Sequence, residues 1–117
     1  MNIDAFYYLD AIRKIALSLP GVEEYTCYGT PAFRVKKKLL ARIKEDGETL
    51  AIHSEEREIW MKYDPGVFFI TDHYRNYPML LIKLPAVKQD DLKGALFEGW
   101  KQIAPKRLLK EYMDTKQ

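Results

Sequence analysis

The spacing of apolar residues changes twice along this chain, and that change constrains the fold more than any single motif. Residues 4 to 19 place Phe6, Leu9, Ile12, Ile15, Ala16 and Leu19 three and four apart, as the buried stripe of an amphipathic helix requires. Pro20-Gly21 ends it. From Tyr25 to Ile52 the period falls to two, with Phe33 and Val35, then Leu39, Ala41 and Ile43, then Leu50 and Ile52 on one side of successive strands. This predicts an antiparallel meander. Its best-marked turn is Glu45-Asp46-Gly47-Glu48, where Asp-Gly supplies the positive backbone angles of a tight hairpin.

Ser54 followed by Glu55 and Glu56 predicts the N-cap of a short helix, closed by Pro65-Gly66. Val67 to Thr71 and Met79 to Leu84 are apolar runs of strand length and read as a second hairpin. The helical period then returns after Asp90 and Asp91, with Leu92, Leu96, Gly99, Trp100 and Ile103 on one side, and Pro105 opens a last helix to about Met113. The expected architecture is α+β: a two-layer sandwich in one domain spanning 1–117, an antiparallel sheet of five or six strands with helices on one face. A chain of 117 residues should bury somewhat more than ~60% of its unfolded surface, so it needs no covalent staple.

Cys27 is the only cysteine, which excludes an internal disulfide, and nothing pairs with it at zinc-ligand spacing. The stretch Met1-Asn2-Ile3-Asp4 lacks the basic leader and apolar run of a signal peptide, and no segment reaches the roughly 18 apolar residues of a membrane span. The expectation is a cytoplasmic monomer without a membrane partner.

Net charge is only +2, yet its distribution is uneven. Between Arg34 and Lys44 the chain carries Arg34, Lys36, Lys37, Lys38, Arg42 and Lys44 and no acid. Strand alternation would bring Arg34, Lys36, Arg42 and Lys44 out on one sheet face, where a β-ribbon can lie along a phosphate backbone. A solvated sheet face whose lysines discourage edge pairing is the competing reading. Lys106, Arg107 and Lys110 form a second basic cluster at the start of the last helix, beside free backbone N–H groups. A loop with His73, Tyr74, Arg75 and Tyr77 gathers an imidazole, two phenols and a guanidinium, a group able to stack on a base, bind an anion, or fold back over the core.

Candidates for catalysis are few. Cys27 with His53 or His73 could form a thiolate pair, but no third orienting group stands at recognisable spacing, and a buried, inert thiol on its strand is the expectation. No Gly-rich phosphate loop, His-Glu-x-x-His or carboxylate cluster is present. No catalytic residue, metal or cofactor is therefore assigned.

Several segments, in order, carry a resemblance: Leu19-Pro20-Gly21-Val22-Glu23-Glu24, Tyr28-Gly29-Thr30-Pro31-Ala32-Phe33-Arg34-Val35, Lys38-Leu39-Leu40-Ala41, Phe68-Phe69, the stretch Thr71 to Leu84, Trp100, and Ala104-Pro105-Lys106-Arg107-Leu108. Together they resemble the MmcQ/YjbR family over nearly the whole chain. The resemblance implies an α-β(3)-α-β(2)-α fold like that of type III secretion chaperones and reminiscent of frataxin, and a proposed DNA-binding role. It also draws Lys106 and Arg107 into the candidate contact set. The chain departs from the common family pattern at Asn76, often glycine, at Met79, often tryptophan, and at Lys36-Lys37, where relatives often carry glycine ahead of the residue matching Lys38. The expected function is a non-enzymatic binding domain with duplex DNA as ligand. The alternatives are a chaperone-like module with a protein partner, and a small-molecule or anion pocket near the His73 loop.

Overall fold

Alternating apolar residues build a single antiparallel sheet in the computed structural model, which describes residues 3–115; Met1 and Asn2 of the N-terminal stretch lie outside the described residues. Strands β1 (Val22–Cys27), β2 (Thr30–Val35), β3 (Lys38–Ile43) and β4 (Thr49–His53) follow one another as a meander. β5 (Phe68–Phe69) and β6 (Met79–Lys83) complete the sheet in the order β1-β2-β3-β4-β6-β5. Helices α1 (Ile3–Ala16) and α3 (Gln89–Ile103) cover one face, α2 (Arg57–Tyr63) joins β4 to β5, and α4 (Lys106–Thr115) follows α3. The core is Leu9 and Ile12 of α1, Leu96 and Trp100 of α3, and Phe33, Ile43, Leu50, Ile52, Leu80 and Ile82 of the sheet. This is the α+β sandwich the periodicity predicts, with six strands; four of them precede α2, one more than the resemblance implies.

Trp100 fixes the layers to each other. Its ring is fully buried and its indole N–H donates to the Pro20 carbonyl at 2.9 Å, satisfying the one polar atom that burial would orphan. One residue earlier, Gly99 lets α3 approach β4: a Cβ built there would lie 2.6 Å from the His53 carbonyl oxygen.

Several local expectations are corrected. Phe6 is exposed and Ala5 takes its place in the α1 stripe; the helix stops at Ala16, with Leu19 buried in the turn beyond it. Ser54 does not cap α2. It is buried at the end of β4 with its N–H on the Pro78 carbonyl, and Glu56 occupies the N-cap position without a side-chain bond. Of the predicted strand 67–71 only Phe68 and Phe69 pair, because the chain turns away at Thr71 into a short 3-10 turn, Asp72–Tyr74. At the acidic hairpin Gly47 alone has positive φ; Asp46 instead accepts hydrogen bonds from the Glu48 and Thr49 amides and the Thr49 hydroxyl.

The most consequential correction lies in β3. Its register against β2 jumps from Phe33 opposite Ala41 to Arg34 opposite Leu39, leaving Leu40 as the extra residue of a β-bulge. Leu40 and Ala41 therefore both face the core, and Leu39, predicted inside, turns outward with Arg34 and Arg42.

Candidate functional site

The face of the sheet away from α1 and α3 is hollow. Alternation from the core positions Leu50, Ile52, Leu80 and Ile82 places Ala51 and His53 of β4 and Met79 of β6 on this outer face, and the bulge adds Leu39 of β3. These residues line a cleft of about 730 Å³. Cys27 and Tyr28 form one wall, His73, Tyr74, Tyr77 and Pro78 the other; Lys38 and Ile103 lie towards the start of β3, Lys44 and Glu45 past its end.

Each wall has a physical cause. Tyr28 and Gly29 are the two central residues of the β1–β2 turn, with φ of 52° and 80°, both positive as a type I′ hairpin demands. An aromatic residue there costs about 1 kcal/mol relative to glycine, and the conformation leaves Tyr28 87% exposed above the cleft. The opposite wall is held by Arg57 of α2. Its Nη1 donates to the carbonyls of Tyr74, Tyr77 and Met79 at 2.8, 2.6 and 3.0 Å, and its Nη2 to that of Arg75 at 2.7 Å. A loop with few ladder bonds of its own is thus folded around one guanidinium. His73 and Tyr74 meet edge to face at 4.8 Å, and His73 lies 6.3 Å from Tyr77.

Charge inside the cleft is largely spent. Arg42 is 7% exposed, donates through Nε to the Cys27 carbonyl at 3.1 Å and through Nη2 to both carboxylate oxygens of Glu45 at 3.0 and 3.1 Å. A hydrogen bond to its own amide, and then Arg42, hold the Glu45 carboxyl below the usual range. Lys44 Nζ donates to the Tyr74 hydroxyl at 2.7 Å and so links floor to wall. His53 Nε2 lies 2.9 Å from a Glu55 oxygen. Cys27 is half-buried rather than enclosed, and it faces the cleft without a histidine in hydrogen-bond reach among the described residues. Burial, followed by the nearby Cys27 thiol, raises the Tyr25 phenol above its ordinary pKa.

Of the predicted ribbon, Arg34, Arg42 and Lys44 do share the outer face, but each is already partnered. Arg34 donates to Glu23 at 2.7 Å and lies over the Tyr25 ring, Arg42 is buried on Glu45, and Lys44 is turned to Tyr74. The remaining basic residues do converge. Lys36, Lys37 and Lys38, exposed in the β2–β3 turn where Lys36 adopts φ 57°, line a groove of about 490 Å³ with Gln102, Ile103, Ala104 and Pro105. Exposed Lys106 and Arg107 follow immediately in the first turn of α4. From the aromatic loop, His73, Tyr74 and Tyr77 reach the cleft, whereas Arg75 pairs with Asp72 at 2.7 Å. Sequence reasoning passed over Arg57, which sits among Glu55, Glu56 and Glu58 and looks like part of a solvated charged run, and over Tyr28 and Glu45 as cleft residues.

Among the described residues no group of histidine, cysteine and acidic side chains is placed to hold a metal, and no helix is long and apolar enough to cross a membrane. No family model matches the chain. No solved structure matches it either. Uncharacterised proteins of Mycobacterium tuberculosis and Mycobacterium bovis are each 31% identical to it over 72 residues, covering 62% of this chain and 50% of the relative. The match thus spans about half the length of those curated relatives.

Proposed function

We propose that this domain binds a small organic molecule in the outer-face cleft, without catalysing a reaction on it. The observation that carries this reading is the cleft itself: about 730 Å³, with Leu39, Ala51 and Met79 as the apolar part of its floor beside Arg42, Lys44 and His53, each of which has a partner. That volume falls within the ~300–1,000 Å³ typical of small-molecule sites, which combine apolar linings with a few placed polar groups. Membership of the MmcQ/YjbR family and a cytoplasmic location belong to the same proposal; the first rests on the ordered motifs, the second on the single thiol.

The test is binding of N-phenyl-1-naphthylamine, a neutral apolar dye that brightens on leaving water. The parent protein should bind it saturably, and Ala51→Phe, which projects a ring from the middle of the floor, should weaken binding at least about tenfold, a loss of ~1.4 kcal/mol. Circular dichroism of the variant should match the parent. Equal binding by the two proteins would place the dye elsewhere and end this reading.

A second reading, duplex DNA, is favoured by the convergence of Lys36, Lys37 and Lys38 with the start of α4 carrying Lys106 and Arg107. This moves the contact surface from the sheet face to its corner. About four neutralised phosphates imply a slope near −3.6 of log affinity against log salt, ~0.9 per phosphate. Glutamate at Lys36, Lys37 and Lys106 should abolish such binding, whereas alanine at Arg34 and Arg42, whose charges are already partnered, should leave the slope unchanged. No salt-sensitive binding by the parent protein at low ionic strength would remove DNA from consideration.

A further inference from the structure

We propose that the molecule held in the cleft is an aromatic oxyanion whose acidic group docks between the Lys44 ammonium and the Tyr74 hydroxyl. This rests on the cleft being a binding site, and adds what chemistry it selects. Arg42 is the weaker anchor, because its charge is paired with both oxygens of Glu45 and its Nε is on the Cys27 carbonyl, which leaves only Nη1 without a partner among the described residues. Lys44 is different. Its ammonium has three donors, one of which is on the Tyr74 oxygen at 2.7 Å, and the nearest carboxylate oxygen, on Glu45, is 4.0 Å away, beyond hydrogen-bond distance. With its side chain 26% exposed, it can turn its remaining donors to an incoming anion without unfolding anything.

Tyr74 completes the receptor. A phenol that accepts from an ammonium keeps its own O–H to donate, and no other hydrogen-bond partner of that hydroxyl occurs among the described residues. Two donors of different kinds therefore lie side by side on a partly dehydrated wall, where bonds to a charged acceptor are shorter and stronger than neutral ones. The body of the ligand is specified by what surrounds this pair: the rings of His73 and Tyr77 on the same wall and the Met79 side chain on the floor. Flat rings pack well against that set, since thioether and aromatic edges both favour aromatic partners. Carboxylate, sulfonate and phosphate share the oxyanion that a lysine recognises as a point charge.

The experiment compares two dyes that share an arylnaphthylamine body and differ in one sulfonate: 8-anilinonaphthalene-1-sulfonate and N-phenyl-1-naphthylamine. The parent should prefer the sulfonate roughly tenfold or more, as expected for hydrogen bonds to a charged group. Lys44→Met should erase that preference while still binding the neutral dye, and Tyr74→Phe, which removes only the hydroxyl, should reduce the preference several-fold. Phosphate and acetate, titrated as competitors, rank the oxyanions. Equal affinity for both dyes in the parent, with Ala51→Phe weakening both, would leave the cleft a binding site and overturn its anion selectivity. An unchanged preference in Lys44→Met would overturn the assignment of the anchor. Loss of neither dye in Ala51→Phe would defeat the cleft reading and this one together.

Discussion

Replacing Arg57 by methionine is expected to destabilise the domain by about 3 kcal/mol and to weaken cleft binding by an order of magnitude. The guanidinium donates to four backbone carbonyls, those of Tyr74, Arg75, Tyr77 and Met79, from a side chain only 14% exposed. Methionine preserves much of the apolar stem but removes every donor, so the carbonyls gathered around the guanidinium lose it, and those of Tyr74 and Tyr77 are left with the Tyr77 and Met79 amides alone. Within the loop the remaining backbone bonds are few, among them Tyr74 to Thr71 and Tyr77 to Tyr74. The wall that bears His73, Tyr74 and Tyr77 should open even though the sheet survives. Lysine should recover little of this, because a single ammonium cannot fork to four acceptors. Urea denaturation measures the first effect and hydrogen exchange over residues 71–79 the second. A change below about 0.5 kcal/mol, the range of ordinary surface substitutions, would mean that the loop holds its shape without Arg57.

A loss of similar or greater size is expected for Gly99→Val. The added Cβ meets the His53 carbonyl oxygen at 2.6 Å and Leu40 Cδ1 at 3.2 Å, and the first of these is backbone at the end of an interior strand. Helix α3 must lift off β4, taking Trp100 and its bond to Pro20 with it. Overpacking of this kind costs about 1–3 kcal/mol and more when backbone blocks relaxation, so urea melts should show a loss of at least ~3 kcal/mol. Gly94 on the same helix is the control. A Cβ there would touch the Trp60 ring at an ordinary 3.5 Å, so Gly94→Ala should stabilise by up to about 1 kcal/mol through helix propensity alone. Equal behaviour of the two glycines would show that α3 does not need its close approach to β4.

The contrast between those two glycines also marks how far the sequence could be read. Leu92, Leu96, Gly99, Trp100 and Ile103 fall on one face of a helix because burial demands that spacing, and all are buried as expected. The same logic identified the meander, since Phe33, Val35, Leu50 and Ile52 have to share a face. It failed at β3, where Lys38-Leu39-Leu40-Ala41 offers a leucine in either phase and nothing local says which goes inside. Charge fared worse. Arg34, Arg42 and Lys44 are legible as basic residues, but their partners Glu23, Glu45 and Tyr74 lie across a ladder, around a turn and 30 residues away. The aromatic loop was visible as a candidate site from its composition. Arg57, which shapes that loop, was not, because a donor to carbonyls leaves no pattern in side-chain identities.

Leu40 makes β3 a strand with two conventions for inside and outside, one on each side of it, and Leu39 faces the cleft immediately before they meet. A shorter strand with the same composition, one residue fewer between Lys38 and Arg42, would restore an unbroken ladder and send the residue before Ala41 outward instead of into the contact with α3. The outer face would keep its leucine, and the core would lose one. Two chains can therefore share nearly every residue of this segment and still differ in whether a leucine of β3 packs against α3 at Gly99. For chains similar to this one, counting residues between the β2–β3 turn and Arg42 will say more about how α3 sits on the sheet than percentage identity does.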